Sequence, residues 1–243
     1  MKYSGIIITL IAGIVALLFA YMVSSSYTYK YKAQQTINVT GNAKKDFDSD
    51  LVKWSATYNR KSFQLEEASE LLKQDRSLIS KFLTDKGIAA KEIIFDAVSI
   101  VRDFNYHTDD RGNSYNTFAG YSLRQSVHVE SKDLDKVENV SREISGLISQ
   151  GVELESNAPN YYYSKLEDLK LALIAEASKN AKARAHHIAE ESGSKLGKLL
   201  KADLGVFQIT GQNDNEEFSH GGVFNTSSRA KTANITVRVS YGQ

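Results

Sequence analysis

Cysteine is absent from the 243 residues, and proline occurs once, at Pro159. The first absence excludes disulfides, thiolate metal sites, a cysteine nucleophile and a lipobox for lipoprotein anchoring. The second argues against Pro-rich linkers, so no long flexible hinge is expected within the folded part. An excess of one charge is missing too: 30 Lys and Arg stand against 29 Asp and Glu, a formal net charge of +1. So even a balance creates no field that gathers nucleic acid. With no RNP-like or helix-turn-helix pattern either, nucleic acid is not an expected partner. GxSxG, Walker, HExxH and dinucleotide motifs are also lacking. No catalytic, cofactor-binding or metal-binding set stands out, and the chain reads as non-enzymatic.

What is present begins at the N-terminus. After a short n-region, residues 1–5, the stretch 6–23 carries no charge. Its apolar positions are Ile6, Ile7, Ile8, Leu10, Ile11, Ile14, Val15, Leu17, Leu18, Phe19, Met22 and Val23. As a helix it would measure roughly 27 Å, near the thickness of a bilayer's hydrocarbon core. It is expected to be a retained membrane anchor; a signal that is cut near Ser24–Ser26 is the other reading. Lys2 on one side and Lys30 and Lys32 on the other leave the charge bias for orientation nearly balanced. Residues 24–35 read as a linker, in which Tyr27, Tyr29 and Tyr31 suit the membrane interface.

The remainder, residues 36–241, reads as one domain. Residues 36–43 suggest a short strand that bends at Gly41, and 51–61 alternate Val52, Trp54, Ala56 and Tyr58 on one face. Ser62 is placed to cap a helix whose stripe is Leu65, Ala68, Leu72, Ile79 and Phe82, stopped at Gly87. Residues 93–104 read as one long strand, 105–117 as a polar loop, and Tyr121, Leu123, Val127 and Val129 as its hairpin partner. Ser131 is placed to cap a second helix that carries Leu134, Val137, Ser141, Ile144 and Ile148 and closes at Gly151. A strand from Val152 and Leu154 leads to a tyrosine run. A long helix over 165–191 then follows, with Leu166, Leu169, Leu173, Ala177, Ala181, Ala185 and Ile188 on one face. Strands are expected over 198–210 and 232–241, with a mobile loop over 211–230. The class is α+β: a largely antiparallel sheet with helices on one face, built from two tandem strand–helix–strand units and the Ala-rich helix.

Four stretches resemble the SIMPL-domain family, a domain long of unknown function. They are Ile37-Asn38-Val39-Thr40-Gly41; Leu83-Thr84-Asp85-Lys86-Gly87-Ile88; Gly120-Tyr121-Ser122-Leu123-Arg124-Gln125-Ser126-Val127-His128-Val129; and Ala181-Lys182-Ala183-Arg184-Ala185-His186-His187-Ile188-Ala189 with Gly193 and Leu196-Gly197. Leu123 departs from the small residue usual at its position, and the long apolar N-terminus departs from the commonest pattern. The resemblance implies an exported protein of the bacterial envelope, periplasmic or membrane-associated, with no established enzymatic activity and no agreed catalytic residues. Bacterial relatives include proteins linked to oxidative-stress tolerance, and some assemble into larger oligomers.

The residues that could carry chemistry are few. His187 and Glu191 stand four apart on a helix but have no third ligand in view. His128, between Val127 and Val129, faces away from both. Residues 109–113 look like a calcium loop with the wrong spacing, and 213–217 are a weak divalent-ion candidate. Tyr161, Tyr162 and Tyr163 form a possible protein interface, or else cap the edge of the core. The expectation is therefore a scaffold or interaction module in the cell envelope. Its N-terminal segment holds the membrane, it self-associates through sheet edges or the tyrosine run, and it meets an unidentified envelope protein. The alternative is a periplasmic ligand-binding domain with a pocket flanked by loops 105–117 and 211–230.

Overall fold

The computed structural model describes residues 13–26 and 36–242. Residues 13–26 are helical with exposed side chains. Of the expected anchor, Ile6, Ile7, Ile8, Leu10 and Ile11 lie outside the described residues, as do Tyr27, Tyr29 and Tyr31. Among the described residues no helix is long and apolar enough to cross a membrane.

From residue 36 the chain is α+β, with its strands shared between two mostly antiparallel sheets rather than gathered in one. The order is β1 (Thr36–Asp48), β2 (Leu51–Ser62), α1 (Leu65–Asp85), β3 (Ile93–Phe95), β4 (Ser99–Thr108) and β5 (Ser114–Ser131). Next come α2 (Leu134–Glu143), β6 (Leu154–Ser156), β7 (Asn160–Tyr162), α3 (Leu166–Glu191), β8 (Leu199–Leu204), β9 (Gln208–Gly211), β10 (Val223–Phe224) and β11 (Ala230–Gly242). These elements form two compact units. The first contains the described residues up to Lys45, Asp168–Phe207 and the described residues from Asn234 on; the second contains Asp46–Glu167 and Gln208–Ala233.

The second unit is built on β2 and β5, which pair antiparallel from Val52 opposite Ser131 to Ser62 opposite Tyr121. The alternation in β2 does what period two requires: Val52, Trp54, Ala56 and Tyr58 are buried. Val127 and Val129 of β5 join them, and Ala68, Leu72, Ile79 and Leu83 of α1 and Leu134, Val137 and Val140 of α2 complete the core. Helices thus cover one face of this sheet. Within the helical stripe of α1 sits an acid, Asp75, 1% exposed. Its carboxylate takes two hydrogen bonds from Arg60 of β2, Nε to Oδ2 at 2.5 Å and Nη2 to Oδ1 at 2.6 Å.

In the first unit the buried row of α3 is Leu169, Leu173, Ala177, Ala181, Ala185 and Ala189. Ile188 is exposed, so Ala189 takes the place that sequence spacing assigned to it. Against this row lies β1, and Gly41 is the point of closest approach. A Cβ there would stand 2.2 Å from the Ala177 carbonyl oxygen and 2.6 Å from Ala181 Cβ. Arg184 donates to the Thr40 carbonyl at 3.0 Å and to Asn42 Oδ1 at 3.1 Å, which pins helix to strand.

Several local expectations are corrected. Ser62 is not the cap of α1: Gln64 holds that position without a side-chain bond, and Ser62 Oγ accepts from the Gln64 N–H at 3.1 Å. Nor is Ser131 the cap of α2, where Asp133 accepts from Lys136 N. The second helix tightens to 3₁₀ over Ile144–Gln150 before Gly151, and Ile148 is exposed. The strand expected over 93–104 breaks at 96–98, and the one over 198–210 breaks at Gly205, whose N–H bonds Thr236 O at 2.9 Å.

Candidate interaction surface

The expected polar loop 105–117 is mostly strand. β4 runs to Thr108 and β5 starts at Ser114, so only 109–113 turn. Asp109 makes the turn: Oδ1 accepts from the N–H of Arg111 at 2.9 Å and of Asn113 at 2.8 Å. Oδ2 also accepts from Asn113 Nδ2 at 3.0 Å, so the carboxylate is spent on its own loop; that side-chain bond first, then the backbone bonds, hold its pKa below the ordinary value.

The resulting ribbon is paired from Ser99 opposite Arg124 to Thr108 opposite Ser114, with a bulge at Asp103 and Phe104. β5 leaves β2 at Tyr121, so residues 114–120 pair with β4 alone, and among the described residues β4 has no strand on its other side. Every residue of β4 but Asp103 is exposed. Gly120 lets the ribbon depart here, at φ +119 with its α-carbon so close to β2 that a Cβ would stand 2.8 Å from Ser62 O.

Exposure on this arm falls on large apolar side chains: Ile100, Val101, Phe104, Tyr106, Tyr115 and Phe118, with Phe63 beside them. Phe118 is the hub of an aromatic cluster. Its ring lies 5.9 Å from Phe104, 6.4 Å from Phe63 and 5.2 Å from Tyr121, each edge to face. Tyr106 is 81% exposed. Exposed large apolar side chains beside an open strand edge are what a soluble surface avoids unless a partner covers them. β8 also has an open edge, but it is six residues long and carries Lys201 ion-paired to Asp203 at 2.7 Å, the kind of charge that guards an edge.

The tyrosine run sits elsewhere in the second unit. Tyr161 is buried, and its hydroxyl donates to Glu138 Oε1 at 2.8 Å; burial, then the carboxylate, push its pKa up to about 12. Tyr162 is half-buried with Phe224 at 6.4 Å, and Tyr163 packs on Phe47 at 5.0 Å. Each ring is already engaged within its own unit.

The histidines form no converging set. His107 stacks on Tyr115 at 5.2 Å. His186, not His187, meets a glutamate, with Nδ1 3.2 Å from Glu190 Oε2. His128 points away from the core as expected, and its Nε2 lies 2.8 Å from Asp96 Oδ2. Ser55 stands opposite His128 in register, but its Oγ accepts from Asn157 Nδ2 at 3.0 Å. No hydrogen bond joins Ser55 to the imidazole among the described residues, so the pair activates no nucleophile in this arrangement. Among the described residues no three His, Asp or Glu side chains are placed to hold a metal ion.

The segment 211–230, expected to be mobile, is knitted together. β10 pairs with β9, and Glu216 accepts from Gly211 N at 3.2 Å and Asn225 Nδ2 at 2.6 Å. Beneath it lies Lys231, 1% exposed, whose ammonium donates to the carbonyls of Asn225 (2.7 Å) and Ser228 (2.5 Å). Burial pushes the Lys231 pKa down to about 8. An unfolded lysine titrates near 10.4, so above pH 8 the unfolded state binds more protons and stability rises with pH. Above pH 10 the slope reverses, because burial raises Tyr58 and Tyr161 in the folded state. The urea midpoint of the second unit, read from the buried Trp54, should therefore rise between pH 8 and 10. A gain of about 1–2 kcal/mol is expected, and a flat or falling midpoint would contradict it.

Clefts of about 750, 440 and 320 Å³ are among those that indent the described surface, and the linings of these three come from outside 105–117 and 211–230. The chain matches the SIMPL family, described as a protein of unknown function (DUF541), over residues 37–241. That span covers most of the chain, which therefore belongs to this family. No curated protein matches it.

Proposed function

For this SIMPL-family chain, whose family description leaves its role open, we propose a non-enzymatic interaction module of the bacterial envelope that self-associates through the β4–β5 arm. The apolar segment 6–23 holds it at the membrane, with the folded domain on the exported side. The observation that carries the reading is the open edge of β4 with its apolar neighbours. Taking about 200 Å² for a large aromatic and somewhat less for an aliphatic side chain, the exposed parts of the seven residues sum to roughly 800 Å² per copy. That is the scale of one partner's share of a standard stable interface, although the side chains are divided between the two faces of the ribbon, with Tyr115 opposite His107 and Tyr106 opposite Asn116.

The occupant is a second copy. In a two-fold antiparallel pair one residue must lie opposite its own copy, because successive side chains alternate between faces. Placing Arg102 or Asp103 on the axis sets like charges against each other, which is unfavourable. Phe104 on the axis sets ring on ring and brings Arg102 opposite Tyr106 twice, a cation over an aromatic face. Asp103 then meets Asn105, and Val101 meets His107. This register uses nearly all of β4.

Phe104→Lys puts two ammonium groups on the axis. In sedimentation of the full chain in non-ionic detergent, it is expected to weaken association about a hundredfold. The melting temperature should hardly move, since Phe104 is 45% exposed. An unchanged assembly mass for Phe104→Lys would remove the arm from the account. Fractionation of cells with intact-mass measurement tests the anchor separately: a full-length mass in the membrane fraction is expected.

A further inference from the structure

A cleft of about 750 Å³ lies wholly in the first unit, at the C-terminal end of α3. Three lining residues recur along one side of that helix: Lys182, His186 and Glu190, each four residues after the last. Lys195, from the turn that follows Gly193, lines it too, and Leu199 of β8 and Tyr241 of β11 close it. Leu199 and Tyr241 are register partners, and a bulge between Ser240 and Tyr241 marks this end of the strand pair.

Tyr241 is the telling residue. It is 8% exposed, buried on the same face of β11 as Ile235, Val237 and Val239. Its hydroxyl nevertheless has no hydrogen-bond partner among the described residues. Unlike Ser49 Oγ and Asn234 Oδ1, which are buried without a partner, the Tyr241 hydroxyl is open to the cleft that it lines. Lys182 and Lys195 likewise have no ion-pair partner among the described residues. Glu190 is occupied by His186 at 3.2 Å. The lining therefore offers two unpaired ammonium groups and a phenol donor beside the apolar surface of Leu199 and Ala189, and its one carboxylate is already engaged.

We infer that this cleft binds a small organic anion. The carboxylate or phosphate would lie between Lys182 and Lys195 and accept a hydrogen bond from the Tyr241 hydroxyl, with its apolar body against Leu199. Two cations and a neutral donor complement one oxyanion group, and an apolar wall with few polar groups is the usual make-up of a ligand cleft. The site is independent of the β4–β5 arm.

Calorimetric titration of the full chain in non-ionic detergent tests it with four probes: benzoate, phenyl phosphate, benzyl alcohol and inorganic phosphate. Either aromatic anion is expected to bind at least tenfold more tightly than benzyl alcohol or inorganic phosphate. Which of the two binds better identifies the headgroup. Lys182→Gln/Lys195→Gln should abolish the preference for the anion. Tyr241→Phe should lose several-fold in affinity without lowering the melting temperature, because its hydroxyl bonds nothing within the fold. Benzyl alcohol binding as tightly as benzoate, no measurable binding of either aromatic anion, or full anion affinity in the double lysine variant would each overturn the inference.

Discussion

Asp75→Ala is expected to destabilise the second unit by about 3–5 kcal/mol, because it leaves the Arg60 guanidinium without its partner at the edge of a closed core. Domain stabilities are typically 5–15 kcal/mol, so the loss is a large share of the whole. The bidentate geometry is what makes the pair matter: both carboxylate oxygens are taken, at 2.5 and 2.6 Å. That pairing raises the pKa of Arg60, and without it the guanidinium still keeps its charge, because its own pKa lies far above neutral. Replacing both members, as Arg60→Met/Asp75→Leu, should recover most of the loss, since two apolar side chains require no countercharge. Urea unfolding read through Trp54, the only tryptophan and buried in this unit, measures the effect. A loss below about 1 kcal/mol for Asp75→Ala would show the pair to be dispensable.

Gly41→Leu is expected to prevent β1 and α3 from docking. Even the first carbon of the new side chain would stand 2.2 Å from the Ala177 carbonyl and 2.5 Å from Ala181 N. Both are backbone atoms of a helix, which cannot step aside as a flexible side chain can. Overpacking usually costs about 1–3 kcal/mol where side chains can yield, and here backbone must separate, so more is expected. Gly41→Ala should already cost about 3 kcal/mol by the same clash. Hydrogen exchange along α3 is the readout: protection over residues 173–185 should collapse in Gly41→Leu while β2 and β5 keep theirs. Wild-type protection in α3 would refute the close approach.

The elements that could be read from sequence were those with one wet face and one dry face. Val52, Trp54, Ala56 and Tyr58 alternate because β2 has a core on one side only, and the row from Leu169 to Ala185 steps by four for the same reason. The β4–β5 arm escaped that logic. Both of its faces are exposed, so nothing imposes alternation, and Asn105, His107, Asn116 and Thr117 look like loop residues although they sit in paired strands. The segment 211–230 was misread for a different reason: its order comes from Glu216 and Lys231 reaching across it, which no periodicity records. Asp75 left a trace that could have been followed. An acid between Leu72 and Ile79 on a core-facing stripe needs a cation, and β2 supplies Arg60.

The SIMPL family description names no role, so the account of function rests on the surface itself. An arm with an unpaired edge, six exposed apolar side chains with Phe63 beside them, and a register in which opposing residues suit each other supports the proposed pairing of two copies. The tyrosine run, attractive in the sequence, has its rings already engaged inside the second unit and offers less to a partner.

A single-cysteine crosslink tests the central claim most directly, because the chain has no cysteine of its own to confuse the result. Phe104→Cys would be placed in the full chain and oxidised mildly in native membranes, beside Asp103→Cys, Tyr106→Cys and the α1 surface control Lys81→Cys. Opposed strand residues stand about 4.5–5.5 Å apart between α-carbons, within the reach of a disulfide. The account predicts a covalent dimer in high yield at position 104 and little at the other three. No crosslink at 104 in a folded protein, or equal crosslinking at position 81, would contradict pairing of two copies along β4.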